Sequence, residues 1–440
     1  MIKYIRFVIL FFFALSASAV MAQSTATTSS PYSKYGLGLL SQDLLPQQRG
    51  MGGIGAAINK IGGYNLVNSY NPASYGFINL TTIDVGASAN FITLNQSGAS
   101  SQTNGNFRLS HITFAVPVSK RSALAFGLKP YSELGYNYTQ TKSNLGSGLP
   151  SDTNSVNYIY SGEGGLSKAF IGYGFGLGKH FYFGGNVSYI FGNLEQFSST
   201  EIPNLYGGFN TRLEQSNNVG GLNYDFGTQV TFDVAEATHL TFGYSGSAST
   251  QLNSQSKYIL SQYSKNFTTN NEGLATDTLV NRQSSQSKIK LPLINHFGFS
   301  LHKENKYLFG ADYSTGKWSD LTIGGVNQGL SNSQSFNVGG QITPNYNALH
   351  NYFALMDYSL GFKAEKTYIT INDRDIKAQA ITFGLGFPLP RNNTSFYKIN
   401  FSAEVGRRGS LAPGLIRENY FNFHLGFTLN DIWFRKYRFD

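Results

Sequence analysis

Ile381–Leu389 reads ITFGLGFPL, and its period decides the fold class. Ile381, Phe383, Leu385, Phe387 and Leu389 are apolar, whereas Thr382, Gly384, Gly386 and Pro388 are small or weakly polar. Successive side chains of a strand point to opposite faces, so this stretch has one greasy face and one small or polar face. The pattern returns at Phe421, Phe423, Leu425, Phe427 and Leu429, set against Asn422, His424, Gly426 and Thr428. Leu240, Phe242 and Tyr244 repeat it, as do Tyr307, Phe309, Ala311 and Tyr313.

Followed along the chain, this period gives about fourteen strands, with boundaries good to a few residues. They fall near 81–94, 107–118, 121–139, 156–175, 179–194, 219–235, 238–252, 290–302, 306–317, 333–343, 352–366, 378–389, 396–407 and 418–429. Ser119–Arg121, Gly176–His180, Ala235–Ala237 and Glu304–Lys306 are short connections. Between them lie longer polar stretches: one from Gln96, then Gln140–Ser155, Gln196–Val219 and, longest, Asn253–Ile289. Short turns on one rim and long loops on the other are the arrangement of a transmembrane β-barrel. An even strand number leaves both chain ends on the short-turn rim. Asn253–Ile289 is then expected as a mobile extracellular loop. Phe383, Phe387, Phe423 and Phe427 are expected to face lipid, and Thr382, Asn422 and His424 the lumen. A β-sandwich would need fewer strands per domain, and no blade-length repeat supports a propeller.

Composition agrees. The 440 residues are 13% charged and 15% aromatic, with 49 Gly, 28 Tyr and 35 Phe. Few charges and many aromatics suit strands that are apolar on alternate positions around a polar lumen. The formal charge of +9 is scattered, which suits anionic head groups and offers no nucleic-acid patch. Cysteine is absent, which excludes disulfides, thiolate zinc sites and a lipid anchor on a cysteine.

The N-terminus reads as an export signal. Lys3 and Arg6 precede the apolar run FVILFFFALSASAV, which closes on small residues at Val20–Ala22. We therefore divide the chain into a cleaved signal peptide, 1–22, a non-periodic segment, 23–80, and the barrel, 81–440, located in the outer membrane.

The segment holds QQRGMGGIGAAIN, Gln47–Asn59, in which Gly50, Gly52 and Gly55 spell G-x-G-x-x-G. A dinucleotide site needs a buried strand before the glycines, a helix after them and an acid about twenty residues on. Here a polar stretch with Pro46 precedes them, and the next acid is Asp84. No cofactor is expected. The glycines instead suit a segment threaded through a barrel, where tight turns and close backbone approach exclude a Cβ.

Arg49–Gly55 and Asn71–Ala73, within NSYNPASYGF, resemble the N-terminal region of the FadL family of outer-membrane transporters for hydrophobic compounds, in which an RGMGGAG-type stretch precedes NPA. Lys290–Leu301 and Asp312–Asp320 are similar to that family's late strands. The resemblance implies fourteen strands, an N-terminal hatch that plugs the lumen, and passive transport of a hydrophobic small molecule. That molecule would leave past the hatch, laterally into the bilayer, with a kink or gap in one strand as the structural sign. The hatch candidates are Arg49, Gly50, Gly52, Gly53, Gly55, Asn71, Pro72 and Ala73. Arg49 is expected to pair with a lumenal carboxylate and Pro72 to fix a turn. The C-terminal stretch from Gly406 resembles a Bacteroidetes subgroup of this family, some members of which associate with the type IX secretion translocon. The alternative implied is a plugged barrel that partners such a secretion channel. Phe439 is followed by Asp440, so the usual terminal aromatic signal is imperfect, and Arg435, Lys436 and Arg438 read as a solvated basic tail.

No enzyme site is expected. The seven histidines are scattered without metal-ligand spacing. Ser110 and His111 are adjacent on a strand, which would point them to opposite faces. Asp373 and Asp375, around Arg374, read as a solvated hairpin tip.

Overall fold

The computed structural model describes residues 28–143, 155–203, 208–269, 271–390 and 395–433. The expected signal peptide and basic tail lie outside them. The described strands form a closed antiparallel barrel of fourteen: β1 (Thr81–Asn95), β2 (Gln102–Ser119), β3 (Ser122–Ser143), β4 (Ser155–Leu177), β5 (Phe181–Glu201), β6 (Asn210–Ala235), β7 (Thr238–Ser247 and Gln251–Asn266), β8 (Asn271–Lys290 and Ile294–Lys303), β9 (Tyr307–Gly316), β10 (Ser333–Ile342), β11 (Asp357–Ile371), β12 (Arg374–Pro388), β13 (Ser395–Arg408) and β14 (Arg417–Asp431). The wall closes where β14 pairs with β1, from Arg417 opposite Asn95 to Asp431 opposite Thr81. Closure satisfies strand backbone groups through their neighbours everywhere except along one seam, described below.

The face assignment holds. Phe383 and Phe427 are exposed, Phe387 and Phe423 are half-exposed on the same face, and Thr382 and His424 are buried inside. Asn422 is inward and hydrogen-bonded to Asn90. No described helix is long and apolar enough to cross a membrane, as expected for a chain that crosses with strands.

Three expectations need correction. Asn253–Ile289 is not a loop: β7 and β8 continue through it as a paired hairpin, and β7 also pairs with β6 from Asn253 to Tyr263. Polar residues dominate both faces of this extension and its few apolar ones fall on either side, so one-sided hydrophobic alternation is missing even though the strands pair along its length. For the same reason β3 runs on to Ser143, β5 to Glu201, and β6 begins at Asn210 rather than near 219. The short-turn rim also carries a longer excursion between β10 and β11, with one helical turn at Tyr352–Leu355 where a strand was expected. Asn372–Asp373 does form the tight turn between β11 and β12, with φ of 50° and 58°.

One seam is incomplete. β2 and β3 pair only from Ile112–Leu128 to Ser119–Ser122, so Gln102–His111 has β1 alone as a neighbour. β3 beyond Leu128 pairs with β4 on its other side. The register slips at Ser110 in β2 and at Tyr131 in β3, beside Pro130. A bulge bends a strand and proline withdraws a ladder donor, which together part the two strands.

Candidate functional site

The N-terminal segment lies inside the barrel and crosses this seam. Leu39–Leu40 pairs with Ser132–Glu133 of β3, and Ser41 N–H donates to the Tyr131 carbonyl at 2.9 Å. Asn106 of β2 donates to Ser29 Oγ at 3.3 Å. Arg108 of β2 forms an ion pair with Glu133 of β3 across the gap. The segment thus stands where strand pairing stops.

Below this level, Pro46–Arg49 forms a single helical turn ending at Gly50. Gly52 and Gly53 then take φ of 73° and 81°, a region that a β-carbon resists. Thr382 locks the turn: its hydroxyl accepts from Gly52 N–H at 2.7 Å and donates to the Gly50 carbonyl at 3.0 Å. Asp312 accepts from Gly55 N–H at 2.7 Å and Ala56 N–H at 2.9 Å. Asn71 caps a 3-10 helix, Pro72–Phe77, by accepting from Ala73 N–H at 3.1 Å, and donates to the Ala56 and Thr228 carbonyls. Pro72 sits at the start of that helix, where its missing N–H costs nothing, and Ala73 is fully buried.

The eight hatch candidates therefore lie along one buried path, but Arg49 behaves differently from expectation. Its guanidinium donates to the Gln42 and Leu44 carbonyls, at 2.8 and 3.2 Å, and holds the segment's own turn. The nearby Glu404 is taken by Lys363 at 2.5 Å.

The acid that ties segment to wall is Asp43, which the motif reading missed. It bonds Lys168 at 2.9 Å and approaches Lys129 at 3.8 Å, while Lys168 also holds Asp225 at 2.8 Å. Burial alone would raise the Asp43 carboxyl; Lys129 and Lys168 outweigh it and hold it at about 2. Its signal was available, since Asp43 is the only acid between residues 28 and 80. The wall contributes glycines that were also overlooked. A β-carbon at Gly339 or Gly361 would run into the backbone at Met51, and one at Gly174 or Gly184 into that at Pro72.

Between the first part of the segment, residues 28–43, and its glycine turns is a cavity of about 300 Å³, lined by Tyr70, Tyr131, Trp318, Tyr368 and Tyr420 as well as by Asp43, Arg49, Lys168 and Glu404; Tyr32 and Leu37 pack with Trp318, Leu321 and Leu415 toward the long-loop rim. Aromatic faces and balanced charges share it. Ser110 and His111 do not line it. The bulge at Ser110 brings its hydroxyl to 3.2 Å from His111 Nδ1, correcting the expected opposition, and His111 Nε2 lies 2.6 Å from Asp84. Asp84 also accepts from Thr428 at 2.5 Å, so this buried group ties β1, β2 and β14 together.

A family model for BamG matches residues 1–440, the whole length. The chain belongs to the BamG family. No curated protein sequence matches it. Among solved structures, this BamG-family chain is similar to the toluene transporter TbuX of Ralstonia pickettii, at 15% identity and a TM-score of 0.59 over 88% of this chain and 98% of that one. It is also similar to the toluene transporter TodX of Pseudomonas putida, at 14% identity and 0.56 over 88% and 98%. A FadL homologue of Pseudomonas aeruginosa aligns at 12% identity and 0.54 over 90% and 100%. At such identities the likeness is one of fold, and the FadL-like barrel is the fold this BamG-family member has.

Proposed function

We propose that this chain is an outer-membrane channel, exported by its cleaved signal peptide, that passes hydrophobic small molecules without covalent chemistry. The observation that carries this reading is the parted seam between β2 and β3. A molecule entering from the long-loop rim would reach the aromatic cavity and leave sideways through the seam. The segment from 23 to 80, with Arg49, Gly50, Gly52, Gly53, Gly55, Asn71, Pro72 and Ala73, would act as the hatch that closes the straight path. TbuX and TodX, which share the fold, are toluene transporters by name, so toluene is a reasonable probe.

The test uses the absence of native cysteine. Cysteines at Ser29 and Asn106, joined by a short thiol cross-linker, would clamp the seam. Uptake of radiolabelled toluene by expressing cells should fall to that of barrel-free cells on cross-linking and recover when a cleavable linker is reduced. Wild-type uptake no higher than barrel-free cells would overturn the reading.

A second reading follows from how completely the segment is bonded on both sides of the cavity. A barrel filled in this way also suits a closed subunit of a larger membrane assembly, such as a protein-secretion channel. Recovery of the native protein in a detergent-stable complex, together with absent toluene uptake, would favour it.

A further inference from the structure

The outer face of β11–β14 differs from an ordinary lipid belt, and its register shows where. One row across the wall is wholly apolar and exposed: Val338, Phe362, Ile381, Val405, Phe421 and Phe91 stand opposite one another in turn. Two residues nearer the long-loop rim the row becomes Phe336, Ala364, Gln379, Arg407, Asn419 and Thr93. Two further, Lys366 stands opposite Lys377 and Arg417 opposite Asn95. Within two steps the wall passes from hydrocarbon-facing to strongly basic.

The basic side chains are not neutralised in place. Asp375 lies on this face near the rim, and Lys366 holds it at 2.8 Å. Lys377, Arg407 and Arg417 make no ion pair within 4 Å among the described residues, although Lys377 lies near Asp375. Arg407 instead takes the Gln379 side-chain carbonyl, and Arg417 Nε is buried without a hydrogen-bond acceptor. Two grooves meet there. An apolar one of about 590 Å³ runs along Phe91, Phe362, Ile381, Val405 and Phe421 and ends at Gln379 and Arg407. A second, of about 680 Å³, continues from those two residues to Lys366, Lys377 and Arg417.

From this geometry we infer that the face binds a membrane lipid whose head group carries more than one phosphate. Its acyl chain lies along the apolar groove, and its phosphates sit on Lys377, Arg407 and Arg417. Neighbouring strands are about 4.8 Å apart, so Lys377, Arg407 and Arg417, on β12 to β14, are spread over roughly 10 Å. A single phosphate is matched by one guanidinium fork, leaving the others uncompensated, whereas a phosphorylated disaccharide head spans the arc. Basic clusters at the hydrocarbon boundary attract anionic head groups by this mechanism. The site is on the outside of the wall and is independent of the transport reading.

The experiment uses the full mature chain in dodecyl maltoside, titrated with bisphosphorylated lipid A, its dephosphorylated form, phosphatidylglycerol and inorganic phosphate, with native mass spectrometry as readout. Bisphosphorylated lipid A should bind the wild type best, and the variant Lys377→Ala/Arg407→Ala/Arg417→Ala should lose roughly a hundredfold in affinity. Lys377→Arg, which keeps the charge, should bind within about threefold of wild type. Heat-modified gel migration reports that each barrel is folded. If the triple variant fails that control, Arg417→Ala alone carries the test, with an expected loss of about fivefold. Equal binding of the dephosphorylated form or of phosphatidylglycerol overturns the proposal, as does displacement by millimolar inorganic phosphate or an unchanged affinity in the folded variant.

Discussion

The wall and the segment inside it solve the same problem by different means. Both must satisfy backbone polar groups away from water. The wall does so with ladders between neighbouring strands, which need no particular side chain beyond the alternation of faces. The segment has only two-residue strands and helices of one or two turns, so side chains do that work: Thr382, Asp312, Asn71, Gln48 and Asn68 bond its backbone or one another. Repetition makes the wall robust, whereas the segment depends on individual groups. A wall mutation should therefore alter barrel stability, and a segment mutation should alter how the lumen is closed.

The largest expected break is removal of the segment. Deleting residues 23–74 should leave a heat-modifiable barrel, because strand pairing closes it unaided. Conductance in planar bilayers should rise from near zero to that of an open pore. Equal, near-zero conductance would mean that the segment does not block the lumen.

Next in size is a charge on the lipid face. Phe383→Arg should cost about 2–4 kcal/mol if Phe383 is at the midplane of the bilayer, measured by urea unfolding in lipid vesicles. Phe383 is 49% exposed whereas its neighbour Thr382 is fully buried, so the cost belongs to lipid rather than to the lumen.

Asp43 supplies a pH-dependent comparison. Its carboxyl is held at about 2, below the ordinary 3.8, so ion pairing stabilises the docked segment above pH 4. That contribution, about 2 kcal/mol, should be lost as pH falls from 4 through 2. Proteolytic or exchange protection of residues 38–60 should decline over this window in the wild type and show no such step in Asp43→Asn. An identical pH profile in both proteins would remove the Asp43–Lys168 pair from the account.

The smallest expected effect sharpens the contrast most. Thr382→Val keeps the shape of the wall but leaves Gly52 N–H without its acceptor. The segment should be destabilised by about 1–2 kcal/mol, seen as faster exchange at Gly52, while barrel unfolding is unchanged. Loss of barrel stability instead would show that segment and wall unfold as one unit.

The sequence was most legible where one face meets lipid and the other does not. Ile381–Leu389 and Phe421–Leu429 gave strands, faces and approximate ends, because burial on a single side writes a period of two into the residues. Legibility failed where that asymmetry vanished. Polar residues dominate both faces of Asn253–Ile289, so its strands carry no one-sided hydrophobic period, and only pairing with β6 and with each other makes them strands. RGMGGIG and NPA marked a segment of close backbone approach, yet they did not say what it touches. The partners of Gly52, Asp43 and Arg49 lie far away in the chain, and which carbonyl or carboxylate reaches them depends on strand register. The parted seam is a tertiary decision too. Pro130 and the bulges at Ser110 and Tyr131 permit it locally, but only closure of the other seams forces the whole mismatch into this one place and sets Leu39–Leu40 against it. The sequence by itself determined the class of fold and the faces of its strands, since these follow from local alternation. The tertiary structure decided which groups meet inside the lumen and where the wall opens, since these depend on how fourteen strands register around a ring.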